Sequence, residues 1–97
     1  MSELERVVAV LKEHKGKLRA DFGVREIGVF GSLVRGELKE DSDIDILVEF
    51  EKPIGLLRFI ELEDFLSRLV GRKVDLVSKK ALKPYIGKHI LEEVLII

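Results

Sequence analysis

The chain contains no cysteine, tryptophan, asparagine, glutamine or threonine. Without cysteine there can be no disulfide framework, thiolate zinc site or cysteine nucleophile. The histidines, His14 and His89, are too few for a zinc site of their own. No apolar run approaches the roughly 18 residues of a membrane span. The N-terminal stretch MSELERVVAVLKEHKGK is interrupted by charges every few residues, unlike a secretory signal. A soluble, cytoplasmic protein is expected. An excess of one charge is also missing: 17 basic and 18 acidic residues leave a net charge of -1, so no overall field draws the chain to nucleic acid or to a membrane. A nucleotide, being small, needs no such field.

Charge itself is plentiful, at 36% of residues. Together with the loss of heat-labile amides this is the composition of thermophile proteins. A length of 97 residues predicts one domain over 1–97, large enough to bury a core without a disulfide or structural metal.

Ser2 and Glu5 have the spacing of a capping box, and Leu4, Val7, Val8, Leu11 and Leu18 follow a helical period. A single opening helix ending near Phe22-Gly23 is therefore predicted. VREIGVF reads as a strand that stops at Gly31-Ser32. SLVRGEL has room for about two helical turns, with Ser32 as N-cap and Gly36 as a stop or kink. SDIDILVEF alternates, which puts Asp43, Asp45, Leu47 and Glu49 on one strand face and Ile44, Ile46, Val48 and Phe50 on the other. Leu56, Phe59, Ile60, Leu62, Phe65, Leu66 and Leu69 trace an amphipathic helix that ends around Gly71. RKVDLVS is a third strand with Asp75 on the face opposite Val74 and Leu76. The last helix groups Leu82, Tyr85, Ile86, His89 and Ile90 on one side, so Tyr85 and His89 are expected to pack into the core. The tail VLII is an edge strand or a partner contact. The alternation of helices and strands predicts a compact α+β or α/β domain.

Acidic residues are depleted in strands and costly to bury unpaired, so Asp43, Asp45 and Asp75 need a reason. If the second and third strands are neighbours in register, the three carboxylates converge. Two such charges about 4 Å apart repel by roughly 4 kcal/mol at an effective dielectric near 20. A divalent cation between them relieves this; otherwise a proton is taken up or the side chains splay. Oxygen-only ligands suit Mg²⁺ or Mn²⁺, and Mg²⁺ commonly brings phosphates with it. The turn at Gly31 and Ser32 offers backbone amides and a hydroxyl to such phosphates, and Arg35 lies one turn on. Lys79, Lys80 and Lys83 read as a solvated basic face, and Glu37, Lys39, Glu40 and Asp41 as a solvated loop.

At these residues the chain resembles the DNA polymerase β-type nucleotidyltransferase superfamily, whose pattern is Gly-Ser, about ten residues, Asp-hydrophobic-Asp and a later third acid. Gly31, Ser32, Asp43, Ile44, Asp45 and Asp75 match it. Within the superfamily the chain is similar to the minimal nucleotidyltransferases, or MNT proteins, many of them partners of HEPN-domain toxins. The similarity extends over GSLVRGELKEDSDIDILVEF, KPIGLLRFIELEDFL, GRKVDLVS and ALKPYIGKHILEEVLI. It implies a single minimal nucleotidyltransferase domain with a small mixed sheet flanked by helices. It also implies that Asp43, Asp45 and Asp75 are catalytic and hold Mg²⁺, two ions being expected, and that Gly31 and Ser32 bind the phosphates of ATP, which Arg35, one turn on, is expected to reach as well. The implied reaction transfers AMP to a tyrosine of a cognate HEPN RNase toxin and silences it. The toxins' own Arg-x4-His-x-Tyr pattern is absent, so this chain would be the modifier. With no acceptor-binding domain in evidence, the acceptor is expected to bring its own recognition surface, in a hetero-oligomer with the toxin or with the chain itself homo-oligomeric. The alternatives are an antitoxin that acts by binding alone and nucleotidyl transfer to a small-molecule hydroxyl.

Overall fold

The computed structural model describes residues 1–97. Ser2 caps α1 (Glu3–Glu13): its hydroxyl accepts the Glu5 N–H while Glu5 accepts the Ser2 N–H, the reciprocal bonding expected from their spacing. The opening helix is not continuous. It breaks at His14, whose N–H reaches back to the Leu11 carbonyl, and α2 (Lys15–Phe22) starts afresh. Gly16 weakens helix propagation there, and the change of direction lets Leu18 enter the core together with Val7 and Leu11.

Four strands follow: β1 (Val24–Phe30), β2 (Ile44–Phe50), β3 (Val74–Ser78) and the short β4 (Leu95–Ile96). They form one mixed sheet in the order β3-β2-β1-β4, with β2 antiparallel to β1 and parallel to β3, and β4 antiparallel to β1. The VLII tail is thus an edge strand, as one of its two readings had it. Gly28 makes this possible, because a Cβ there would collide with the Val94 side chain and the Leu95 carbonyl.

One face of the sheet carries the core. Ile27, Val29, Ile44, Ile46, Val48, Val74 and Leu76 pack against Val7, Leu11 and Leu18 and against Leu62, Leu66 and Val70 of α4 (Leu56–Val70). Burying each such side chain is worth roughly 1.5–3 kcal/mol. The alternation read in β2 is therefore the alternation observed. The stripe of α4 is shorter than expected: Leu56 and Ile60 are exposed. The outer edge of β3 is closed by α4 side chains, since Ser67 Oγ accepts the Val74 N–H and Glu63 Oε2 the Leu76 N–H, both at 3.0 Å. This leaves little edge for a foreign strand to pair with.

Two further expectations fail. SLVRGEL forms one turn, α3 (Ser32–Arg35), with Gly31 rather than Ser32 at the cap position and Gly36 closing it in the left-handed conformation. In α5 (Pro84–Glu93), Tyr85 and His89 are exposed, with their rings edge to face at 5.2 Å. Gly87 is the buried residue of that helix, lying against Leu82. Too little of the fold covers the other side of α5 for its apolar pattern to be buried. No helix is long and apolar enough to cross a membrane.

Candidate active site

Sheet topology brings the singled-out residues to one end. Because β2 and β3 run parallel, their starts are neighbours, and the register pairs Asp45 with Asp75. Asp43 lies just before β2, two residues from Asp45 and on its side of the strand. Because β1 runs antiparallel to β2, its last residue, Phe30, pairs with Asp45. The chain must then turn beside that carboxylate, and it does so at Gly31, with φ 74° and ψ -150°. This region is essentially reserved to glycine. A Cβ on Gly31 would overlap Asp45 Oδ2 and stand 3.0 Å from its Cγ. Only glycine lets the turn and the acid share the space.

Asp43 and Asp45 are half-buried, and Asp75 is exposed. Burial, then the charge of Asp75, then that of Asp43 hold the Asp45 carboxyl above its ordinary range, against the opposing pull of Arg35. Burial is the largest of these causes, and the neighbouring acids add to it. No three acidic or histidine side chains enclose a metal site. The donor set is nevertheless that of a hard divalent cation: carboxylate oxygens, one of them penalised for its charge by its neighbours.

Ser32 is half-buried and its side chain makes no capping bond. Arg35 does not point freely at solvent. It bonds Glu93 Oε1 at 2.5 Å and Glu37 Oε1 at 3.3 Å, and these partners, Glu93 first, raise the pKa of its guanidinium. The helical turn of α3 is too short to add much of a dipole, so the donors the turn presents are the Gly31 amide, the Ser32 hydroxyl and Arg35.

Two residues of this region were not singled out in the sequence. Glu93, at the end of α5, accepts the Gly31 N–H at 3.1 Å. The other is Arg72, whose Nη2 donates to the carbonyls of Lys39, Glu40 and Ser42 at 2.5, 3.0 and 3.0 Å, which fastens the loop leading into Asp43. Only a run of basic residues after Gly71 marks it in the sequence. Of the basic residues after β3, Lys79 faces Glu26 and Glu49 at 4.0 and 3.8 Å. A cleft of about 490 Å³ lined by Glu49, Phe50, Phe59 and Lys80 opens at the far end of β2, away from the acids.

Comparisons with known proteins place the fold and the family. Protein adenylyltransferase MntA of Thermococcus cleftensis is 60% identical over 97% of this chain and 95% of its own. A solved structure provisionally described as a minimal nucleotidyltransferase superposes with a TM-score of 0.75 at 40% identity, over 98% of this chain and 95% of that one. A structure of tri-AMPylated Shewanella oneidensis HEPN toxin in complex with MNT antitoxin contains a similar chain, with a TM-score of 0.63 at 18% identity over 97% of this chain and 67% of that one. At that identity the likeness speaks for the fold. Residues 11–97 match the nucleotidyltransferase domain, and the chain belongs to that family.

Proposed function

We propose that this chain is a single-domain, Mg²⁺-dependent protein adenylyltransferase that transfers AMP from ATP to a tyrosine of a HEPN-domain toxin and so neutralises it. The observation that carries the reading is the pairing of Asp45 with Asp75 on adjacent parallel strands, with the Gly31 turn pressed against Asp45. The names of the relatives, protein adenylyltransferase and a complex of AMPylated HEPN toxin with its antitoxin, support the acceptor.

In this reading Asp43, Asp45 and Asp75 hold Mg²⁺, while the Gly31 amide, the Ser32 hydroxyl and Arg35 hold the phosphates. Bound there, Mg²⁺ supplies charge neutralisation to the triphosphate and to the oxygens that attack and leave. The acceptor oxygen forms a bond to the α-phosphorus as the bond from that phosphorus to the bridging oxygen breaks, and pyrophosphate departs. The hydroxyl proton passes to the Asp75 carboxylate, which is exposed on the β3 edge of the sheet and accessible to an incoming side chain. Arg35 orients the phosphates and keeps its charge throughout.

Incubation with the HEPN protein, ATP labelled in its α-phosphate and Mg²⁺ tests the proposal, and absence of label on the toxin refutes it. An antitoxin acting by contact alone neutralises equally well after replacement of Asp43 and Asp45 by Ala. Transfer to a small molecule leaves the label in a protein-free fraction.

A further inference from the structure

Glu93 lies where an incoming phosphate would be expected. Its Oε2 accepts the Gly31 N–H at 3.1 Å and its Oε1 accepts from Arg35 Nη1 at 2.5 Å. A carboxylate spanning a backbone amide and a guanidinium satisfies the same two donors that two oxygens of a phosphate would take. The Gly31 N–H has a single hydrogen to give, so Glu93 and a phosphate exclude each other at that amide and compete for the face of Arg35 that carries Nη1.

The location is unfavourable for an ion pair whose only task is to hold the fold together. Asp45 is under the influence of Asp75, Asp43 and Glu93 with Arg35 as the one opposing cation, so Glu93 adds negative charge where it already accumulates. Its side chain is 24% exposed, with solvent to swing into. Its backbone is fixed independently: Leu95 and Ile96 pair with Val29 and Gly28, and the Ile97 N–H donates to the Ile27 carbonyl at 2.9 Å. The side chain can therefore leave without the strand leaving.

We propose that Glu93 is a built-in competitor for the triphosphate: in the resting protein it occupies the Gly31 amide and Arg35, keeps both in place, and is displaced when nucleotide binds. The inference rests on the reading of this turn as the phosphate site. It makes Glu93 a positioning residue that sets nucleotide affinity, not a catalytic one. If the donors are taken up nine-tenths of the time, the apparent dissociation constant for nucleotide is about tenfold higher than that of the open site.

The test is isothermal titration of the full chain with MgATP and, separately, with magnesium pyrophosphate, for wild type, Glu93→Gln and Glu93→Asp. Glu93→Gln keeps the shape and removes the charge. Glu93→Asp keeps the charge but is one methylene too short to span both donors. Both variants should bind each ligand about three- to tenfold more tightly than wild type, and in the transfer assay the gain should appear as a lower KM with kcat no higher. Unchanged or weaker binding by either folded variant overturns the inference while leaving the phosphate site intact, provided wild type binds. Wild type that binds neither ligand overturns the phosphate site itself. Should Glu93→Gln fail to fold, Glu93→Asp alone decides between these outcomes.

Discussion

Replacing Gly31 by Ala should damage both fold and site, and the structure separates the causes. An alanine at φ 74° and ψ -150° sits in a region closed to L-residues, at a cost of about 1–3 kcal/mol. Its Cβ would also overlap Asp45 Oδ2, so either the carboxylate rotates out of the site or the turn opens and gives up its bond to Glu93, worth about 1 kcal/mol. Together these amount to about 2–4 kcal/mol, or a fall in Tm on the order of 10–25 °C for a chain of this size. Gly36→Ala is the control. Its φ is 72° with ψ 25°, and nothing lies within 4 Å of the added methyl, so only left-handed strain of about 1–2 kcal/mol applies. Melting followed by circular dichroism, with nucleotide titration at a temperature where both variants are folded, reads the difference. Gly31→Ala should melt below Gly36→Ala and bind MgATP poorly, while Gly36→Ala binds it normally. Equal melting with normal binding by both would show that the turn does not press on Asp45.

Three other outcomes follow from the same geometry. The folded protein holds Asp45 above its ordinary 3.8, so between that value and the raised one it binds more protons than the unfolded chain, and stability falls as pH rises through that window. In EDTA, Asp45→Asn should melt above wild type at pH 7, with the advantage gone below about pH 3.8; an advantage that persists unchanged at acid pH would contradict the cause assigned. Arg72→Ala frees the loop carbonyls of Lys39, Glu40 and Ser42, which should cost about 1–2 kcal/mol and slow AMP transfer severalfold in protein that remains folded. Full activity in a transfer assay would remove Arg72 from the account. Glu63→Ala leaves the Leu76 N–H on the β3 edge without its acceptor, with an expected loss of about 1–2 kcal/mol in urea unfolding; no loss would mean the edge is satisfied by water.

What could be read in the sequence and what could not divide along physical lines. Strand parity in SDIDILVEF and the Ser2 and Glu5 cap are local properties of the chain, and both persist in the fold. The neighbourhood of Asp45 and Asp75 needed one further assumption, that β2 and β3 pair in register, which the hydrophobic faces of the two strands enforce. The break at His14 was hidden because Leu11 and Leu18 fit a single helical period as well as they fit two helices. Tyr85 and His89 share a face with apolar neighbours, but whether that face is covered depends on elements far away in the chain. Glu93 is the clearest case: its partner Gly31 is 62 positions away, and no local pattern distinguishes it from Glu92.

The central claim is that carboxylates gathered by strand register, beside a glycine turn, transfer AMP to a protein tyrosine. The most direct measurement is mass spectrometry of the HEPN toxin after incubation with ATP, Mg²⁺ and either wild type or Asp43→Asn/Asp45→Asn protein that still binds the toxin. The account predicts AMP adducts on toxin tyrosine with wild type and none with the variant. Adducts formed equally by both, or neutralisation by wild type without any adduct, would contradict it.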